Sequence, residues 1–148
     1  MRLFFDPEQC SGCLSCVTYC SLHNEGLVAP TSARLRVELD LFGGWNAAHF
    51  CRQCKKAPCA AQCPESAIRF EAAGGYWHID YDLCTGCKQC IDVCPFGAIF
   101  WDPCGEKVIK CETCEGAPLC AEVCPVGALT WRNPARKPGA GEERNGDA

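Results

Sequence analysis

Residues 84–95 of this chain have the sequence CTGCKQCIDVCP, in which four cysteines and a proline stand at regular intervals. Cys84, Cys87 and Cys90 occupy every third position, and Cys94 directly precedes Pro95. Three thiolates at this spacing wrap the backbone around three corners of an iron–sulfur cube, and a fourth cysteine before proline ligates the other cluster of a pair. The stretch therefore predicts half of a two-cluster site.

Three further blocks along the chain share this arrangement, two of them with a longer central interval. They consist of Cys10, Cys13, Cys16 and Cys20; of Cys51, Cys54, Cys59 and Cys63; and of Cys111, Cys114, Cys120 and Cys124. Proline also follows the last cysteine of the second and fourth blocks. Sixteen of the 17 cysteines thus fall into four sets of four. Only Cys104 is left over, and we expect it to be a free thiol.

The composition limits the class of protein. A chain of 148 residues with 17 cysteines is either a secreted disulfide scaffold or a metal protein. The N-terminus turns acidic before Cys10, and no apolar stretch approaches the length of a secretory or membrane-spanning segment. We therefore expect a cytoplasmic protein with reduced thiols and no direct membrane insertion. The formal charge of −4 argues against nucleic-acid binding.

The connector between the second and third blocks indicates which blocks pair. Between Cys63 and Cys84, residues 67–71 and 76–81 are typical of two strands joined by the turn at 73–75. Such a hairpin places these two blocks side by side, which leaves the first and fourth blocks to form the other pair.

Strands at residues 3–5 and 128–131 would close that second pair. Residues 34–41 alternate like a strand before Gly43 and Gly44, and a further hairpin is predicted from 98–101 and 107–110. The alternative, in which the first block pairs with the second and the third with the fourth, stays open.

Exchange of the fourth ligand within each pair predicts four ligand sets, which we name by their first cysteine. They are the Cys10 set (Cys10, Cys13, Cys16, Cys124), the Cys51 set (Cys51, Cys54, Cys59, Cys94), the Cys84 set (Cys84, Cys87, Cys90, Cys63) and the Cys111 set (Cys111, Cys114, Cys120, Cys20). Zinc is the alternative metal, since C-x2-C pairs also form zinc knuckles. A third cysteine and a Cys-Pro have no role in a knuckle, however, and this favours iron–sulfur clusters.

The blocks resemble those of the iron–sulfur subunits of the dimethyl sulfoxide reductase family, over residues 1–131. The resemblance rests on the sixteen cysteines and on the repeated C-P-x-x-A at 63–67, 94–98 and 124–128. It implies four [4Fe–4S] clusters, since no ligand position is replaced here. It also implies an α+β fold of two pseudo-symmetric bacterial-ferredoxin-like modules, built of short β-hairpins and short helices.

The resemblance also predicts the domain organisation. A four-cluster domain would span residues 1–131, with an outer module from 1–30 and 104–131 and an inner module from 45–103. Residues 132–148 are rich in Pro, Gly and charge, and predict a disordered tail.

The function that the resemblance implies is electron transfer. Such a subunit relays single electrons between a catalytic oxidoreductase subunit and a second redox partner. Residues 23–25 and 33–37 look most like the small subunits that accompany tungsten aldehyde oxidoreductases, so a tungsten or molybdenum pterin enzyme is the expected partner. The chain has no phosphate-binding or hydrolase motif, and we expect no catalytic residue in it.

Four alternatives stay open at this point. The chain could be a free, diffusible polyferredoxin, or the electron-transfer subunit of a carbon monoxide dehydrogenase or hydrogenase. It could also be a zinc-bound interaction module, or an assembly factor that uses its clusters structurally. Clusters at both poles would in addition permit copies to stack end to end. Lys55, Lys56 and Lys88 lie between ligand positions, and we expect them to be solvated loop residues.

Overall fold

The structure is a computed structural model that describes residues 1–133, and this part of the chain is built from short elements. The strands are β1 (Arg2–Phe5), β2 (Arg36–Asp40), β3 (Trp45–His49), β4 (Ile68–Glu71), β5 (Tyr76–Ile79), β6 (Ile99–Asp102), β7 (Lys107–Lys110) and β8 (Leu129–Arg132). The helices are α1 (Ser15–Glu25), α2 (Pro58–Ala61), α3 (Gln89–Asp92) and α4 (Leu119–Glu122), with 3-10 turns at Pro30–Ser32 and Thr113–Gly116. No helix within residues 1–133 is long and apolar enough to span a membrane.

The strands form four two-stranded antiparallel sheets, and two of them are the hairpins expected from the sequence. In β4–β5, Ile68 lies opposite Ile79 and Glu71 lies opposite Tyr76. In β6–β7, Asp102 lies opposite Lys107 across the predicted turn. This last hairpin includes residues on both sides of 103/104, where the outer and inner modules were predicted to meet.

The sheet β1–β8 joins the two ends of the described chain and confirms the predicted closure. Leu3 lies opposite Trp131, and Phe5 lies opposite Leu129. The strand β8 continues through Arg132. Of the tail predicted for 132–148, residues 134–148 lie outside the described part of the chain.

Strand β3 and helix α1 were not anticipated. The partner of β3 is β2, which lies inside the strand predicted for 34–41, but β3 itself lacks the branched residues that are typical of a strand. Helix α1 has almost no amphipathic pattern, so its eleven residues gave no periodic signal. It follows Leu14 in the left-handed region and ends at Gly26, whose positive φ of 70° allows its N–H to donate to the carbonyl of Leu22.

Buried side chains gather in two clusters. The first contains Leu3, Val17, Leu35, Phe50 and Leu129 together with Ala33, Ala48, Cys20, Cys111 and Cys120. The second contains Ile68, Ile79, Ile99 and Val108 together with Ala57, Cys59 and Cys90. Cysteines of the predicted ligand sets take part in both clusters, so the core and the candidate sites are built from the same segments.

Candidate iron–sulfur centres

Each cysteine block folds as a loop that leads into a short helix. The third cysteine of every block is the second residue of a helix: Cys16 in α1, Cys59 in α2, Cys90 in α3 and Cys120 in α4. The N-terminal end of a helix carries unpaired N–H groups and partial positive charge, which favours a nearby anionic group. One thiolate of each set is thus placed at such an end.

The loop before each helix turns tightly at the residue that precedes the second cysteine. This residue has positive φ in all four blocks: 71° at Gly12, 49° at Gln53, 69° at Gly86 and 57° at Thr113. Glycine adopts this conformation freely, whereas a side chain there costs about 1 kcal/mol or more. The two blocks that lack glycine therefore keep a conformation that only tertiary contacts explain. One such contact is the hydrogen bond from Gln53 Nε2 to the carbonyl of Cys111, at 2.9 Å.

Three of the four predicted ligand sets each line one cavity. Cys10, Cys13, Cys16 and Cys124 line the first; Cys51, Cys54, Cys59 and Cys94 line the second; and Cys63, Cys84, Cys87 and Cys90 line the third. Each cavity has about 340 to 360 Å3 of space, counting the part open to solvent. The rest of each lining is mainly apolar, with Phe5 and Leu129 in the first, Trp77 and Ile99 in the second, and Ile68 and Val108 in the third.

The fourth set is brought together at the most buried position. Burial raises the pKa of Cys111 to about 12, and the charge of Cys20 adds to that rise. Burial likewise raises the pKa of Cys120, followed by the charges of Cys111, Cys20 and Cys114. Cys20, Cys111 and Cys120 also lie in the first buried cluster, where α1 contacts α4, so segments from both ends of the described chain bring this set together.

Burial also disfavours the thiolate form in the other sets. It raises the pKa of Cys16 to about 11 and that of Cys90 to about 11. The pKa of Cys13 is instead lowered, chiefly by hydrogen bonding from Ser15. A metal ligand must be a thiolate. At Cys16, Cys90, Cys111 and Cys120 burial thus opposes ionisation, and a positively charged group bound among the thiols would favour the thiolate form.

Contacts between segments join the four sites one after another. Helix α1, which carries Cys16, contacts α4, which carries Cys120. Gln53, which lies next to Cys54, donates to the carbonyl of Cys111, and α2, which carries Cys59, contacts α3, which carries Cys90. The order is therefore the Cys10 set, the Cys111 set, the Cys51 set and the Cys84 set. The sequence predicted the two pairs but not the order in which they join.

Backbone N–H groups donate to sulfur at several candidate ligands. This explains part of the repeated C-P-x-x-A, whose alanine directs its N–H at the cysteine four residues earlier. The contacts are Ala67 to Cys63 at 3.3 Å, Ala98 to Cys94 at 3.4 Å, Arg34 to Cys20 at 3.3 Å and Thr113 to Cys111 at 3.4 Å. Such hydrogen bonds stabilise thiolate and tune the reduction potential of an iron–sulfur cluster.

The three lysines that lie between ligand positions, Lys55, Lys56 and Lys88, are exposed, as expected, and Lys88 lies over the ring of Trp101 at 4.0 Å. Lys110, which the sequence analysis missed, is fully buried. Its position could have indicated this burial, because Lys110 directly precedes the first cysteine of a block and ends the strand that contains the buried Val108.

The donor chemistry of the cavities fits a cluster. Four cysteine sulfurs per site are the usual ligands of a [4Fe–4S] cluster. Within residues 1–133, no three His, Cys, Asp or Glu side chains converge where a single metal ion would sit. Three of the sets instead line one cavity each with four cysteines, and four cysteines around one cavity suit the ligand requirement of a [4Fe–4S] cluster.

Comparisons with known proteins agree with this chemistry. Residues 77–100 match the 4Fe-4S binding domain family. Over 111 residues the chain is 37% identical to the polyferredoxin-like subunit of an aliphatic sulfonate oxidoreductase of Pyrococcus furiosus, which covers 74% of this chain and 63% of that protein. It is 35% identical over 108 residues to a tetrathionate reductase subunit of Archaeoglobus fulgidus, covering 72% of this chain and 51% of that protein.

The electron transport protein HydN of Escherichia coli is 34% identical over 99 residues, covering 64% of this chain and 55% of HydN. The chain thus spans less than two thirds of the length of these relatives. A chain of the active-site complex BamBC of benzoyl coenzyme A reductase, solved with benzoyl-CoA, shares the fold. Its TM-score is 0.52 at 23% identity, covering 86% of this chain and 76% of that one. Ferredoxin-like 4Fe–4S electron-transfer subunits are thus homologues of this chain.

Proposed function

We propose that this chain holds four [4Fe–4S] clusters and relays single electrons between a catalytic oxidoreductase subunit and a second redox partner. The observation that carries the proposal is the series of four-cysteine sites, three of which line a cavity each, on segments that contact one another. The four ligand sets would hold one cluster each. A bound [4Fe–4S] cluster supplies a centre that takes up and gives away one electron at a time.

The chain's own residues would insulate and connect these centres. Apolar side chains such as Val37 and Leu129 line the cavity of the Cys10 set, and Ile68 and Ile79 line that of the Cys84 set. They cover one side of each site, and the backbone N–H groups directed at Cys20, Cys63, Cys94 and Cys111 stabilise negative charge at these sulfurs.

The two ends of the row differ from its middle in exposure. Cys13 and Cys87 are exposed, and they belong to the two terminal sets. The corresponding residues of the middle sets, Cys54 and Cys114, are half-buried. Electrons would therefore enter and leave at opposite ends, next to Cys13 and next to Cys87, with a different partner at each end.

The partner is proposed by chemical class. Relatives include subunits of oxidoreductases, which supports a catalytic partner in a shared complex. We propose a tungsten or molybdenum pterin enzyme such as an aldehyde oxidoreductase, with this chain taking no catalytic part. We also propose that residues 1–30 with 104–131 and residues 45–103 form two pseudo-symmetric modules, and that the protein works in the cytoplasm.

Elemental analysis of the natively tagged chain, purified without oxygen together with its partners, tests the proposal. We expect about 16 iron atoms per chain beyond those of the partner, with stoichiometric tungsten or molybdenum. Nickel in their place would move the chain to a carbon monoxide dehydrogenase or hydrogenase. Iron without a second metal would favour a diffusible polyferredoxin, and zinc alone would overturn the proposal.

A further inference from the structure

We propose that Lys110 is a positioning residue that acts as a buried counter-charge between the two middle sites and raises the reduction potential of both. The inference rests on the proposed function, because it concerns the clusters that the Cys111 set and the Cys51 set would hold. It assigns a role to a residue outside all four ligand sets.

The first observation is where the ammonium group lies. Lys110 ends β7 and is 0% exposed. Its Nζ donates to the carbonyl of Trp77, whose side chain lines the cavity of the Cys51 set. The same Nζ donates to the carbonyl of Cys111 at 3.2 Å. The group therefore stands at the junction of the two middle sites.

The second observation is that this lysine has no carboxylate partner. Within residues 1–133, carboxylates pair with Arg34, His49, Arg69 and Lys107, but none pairs with Lys110. Lysine is almost never fully buried unless it is paired, because an isolated buried charge is costly. Two carbonyl acceptors satisfy part of its hydrogen bonding, yet they supply no net negative charge.

The negative charge that remains available is that of the cysteines. The ammonium group bonds the carbonyl of Cys111, itself a proposed ligand, and the carbonyl of Trp77, which lines one cavity together with Cys51 and Cys59. These three cysteines belong to the two middle sets. With clusters bound, each middle site would carry about −2 through its four thiolates and cluster core. Lys110 is thus a cation shared by two anionic sites.

The consequence for electron transfer follows from the sign of the charge. One-electron reduction adds a negative charge to a site, and a nearby buried cation stabilises the reduced form more than the oxidised form. Burial keeps this effect strong, whereas the charge of an exposed lysine is screened by water and salt. Lys110 should therefore raise the potential of the two middle sites without acting comparably on the terminal ones.

A purely structural role for Lys110 is the competing explanation. Gln53 already bridges the same two segments, since its Oε1 accepts from the N–H of Trp77 at 2.7 Å and its Nε2 donates to the carbonyl of Cys111. Lys110 therefore adds a positive charge to a junction that Gln53 already joins by hydrogen bonds. The test must separate the loss of a donor from the loss of a charge.

Potentiometric titration followed by electron paramagnetic resonance, on the intact cluster-loaded chain with its partners, makes that separation. Lys110→Gln keeps a donor and removes the charge. We expect two of the four clusters to become harder to reduce, with the equilibrium constant for their reduction lowered at least tenfold. For a one-electron couple this is a reduction potential about 59 mV lower. Lys110→Arg keeps the charge and should stay within threefold of the wild type. The matched control Lys56→Gln removes an exposed lysine that lies between ligands of the Cys51 set and should leave all four titrations unchanged.

Contrary outcomes are equally definite. Four unshifted titrations in Lys110→Gln, an equal shift of all four, or the same shift in Lys110→Arg would each overturn the inference. If Lys110→Gln loses clusters, Gln53→Lys decides, because it adds a cation at the same junction and should raise the same two potentials. If Gln53→Lys leaves these two reduction potentials unchanged or lowers them, the role of Lys110 as a counter-charge is refuted. The wild type tests the proposed function separately, since fewer than four titrating clusters there would count against the relay and not against Lys110 alone.

Discussion

Ser32 and Asp102 meet inside the protein although 70 residues separate them in sequence. The Ser32 hydroxyl donates to Asp102 Oδ1 at 2.7 Å, and both residues are buried. The backbone N–H of Cys104 also donates to Oδ1, at 3.0 Å. Burial alone would raise the pKa of Asp102, but these hydrogen bonds and the charge of Lys107 hold it below its ordinary value.

Removing the hydroxyl should weaken the fold. We expect Ser32→Ala to lower the free energy of unfolding by about 1–3 kcal/mol, because a buried carboxylate loses a hydrogen-bond donor. The measurement is the guanidinium concentration at which the cluster-loaded protein loses its far-UV circular dichroism, without oxygen. Ser66→Ala removes an exposed hydroxyl and serves as the control. Equal midpoints for the two variants would contradict the prediction.

The same pair predicts a pH dependence. A carboxylate whose folded-state pKa is lowered stabilises the fold above its unfolded-state value, near 3.9, and loses that contribution as the pH falls through the folded-state value. The difference in stability between wild type and Ser32→Ala should therefore stay constant from pH 9 to pH 6. A difference that grew or shrank within this range would show that another group titrates at this contact.

At the scale of elements, a chain of ion pairs joins α1, the loop before β2, β7 and the fourth cysteine block. Arg34 contacts Glu25 at 3.2 Å and Glu112 at 2.9 Å, and Lys107 contacts Glu25 at 2.6 Å. Glu112 also accepts the backbone N–H of Ile79 in β5 at 3.1 Å. Burial opposes the charge of Arg34, but the carboxylates of Glu112 and Glu25 outweigh it and raise the pKa of the guanidinium.

Removing Arg34 alone should lower the free energy of unfolding more than removing Arg34 together with the charges of its two carboxylate partners. Arg34→Met leaves two mostly buried carboxylates without that cation, and we expect a loss of about 3 kcal/mol in the free energy of unfolding. The triple variant Glu25→Gln, Arg34→Met, Glu112→Gln removes those charges together and should recover part of the loss. Guanidinium unfolding of both variants checks this. A triple variant less stable than Arg34→Met would show that the carboxylates stabilise through contacts other than Arg34.

At the scale of the whole molecule, the clusters and the fold should depend on each other. The core is small and includes cysteines of the proposed ligand sets, so cluster binding would supply much of the folding free energy. Chelation of iron under anaerobic conditions should therefore unfold the chain, seen as loss of far-UV circular dichroism. A stripped chain that keeps the native spectrum would show that the apo-protein folds without clusters.

A thiol count tests the ligand assignment in the same experiment. The native cluster-loaded chain should present one reactive thiol to a disulfide reagent, that of the exposed Cys104. After chelation, all 17 cysteines should react. Cys104→Ser should leave none in the native state. More than one reactive thiol in the native wild type would remove a cysteine from the proposed sets.

The sequence by itself determined the features that repeat at short range. Spacing alone grouped sixteen cysteines, and strand-like segments on either side of turn residues predicted the β4–β5 and β6–β7 hairpins, which the structure confirms. Even the long-range pairing of β1 with β8 followed from the sequence, because the first and fourth blocks needed strands to close them. Strand β3 and helix α1 escaped prediction, since neither has a periodic apolar pattern.

Only the tertiary structure decided how the sites join and what lies between them. The order of the four sites depends on contacts such as those of α1 with α4 and of Gln53 with Cys111, which no spacing within a block encodes. The burial of Lys110 is also a tertiary property, because a lysine at the end of a four-residue strand is equally compatible with solvent. Local spacing dictates which three thiols of a block share a site, whereas packing between distant segments brings in the fourth thiol and dictates the charge and the order around those sites.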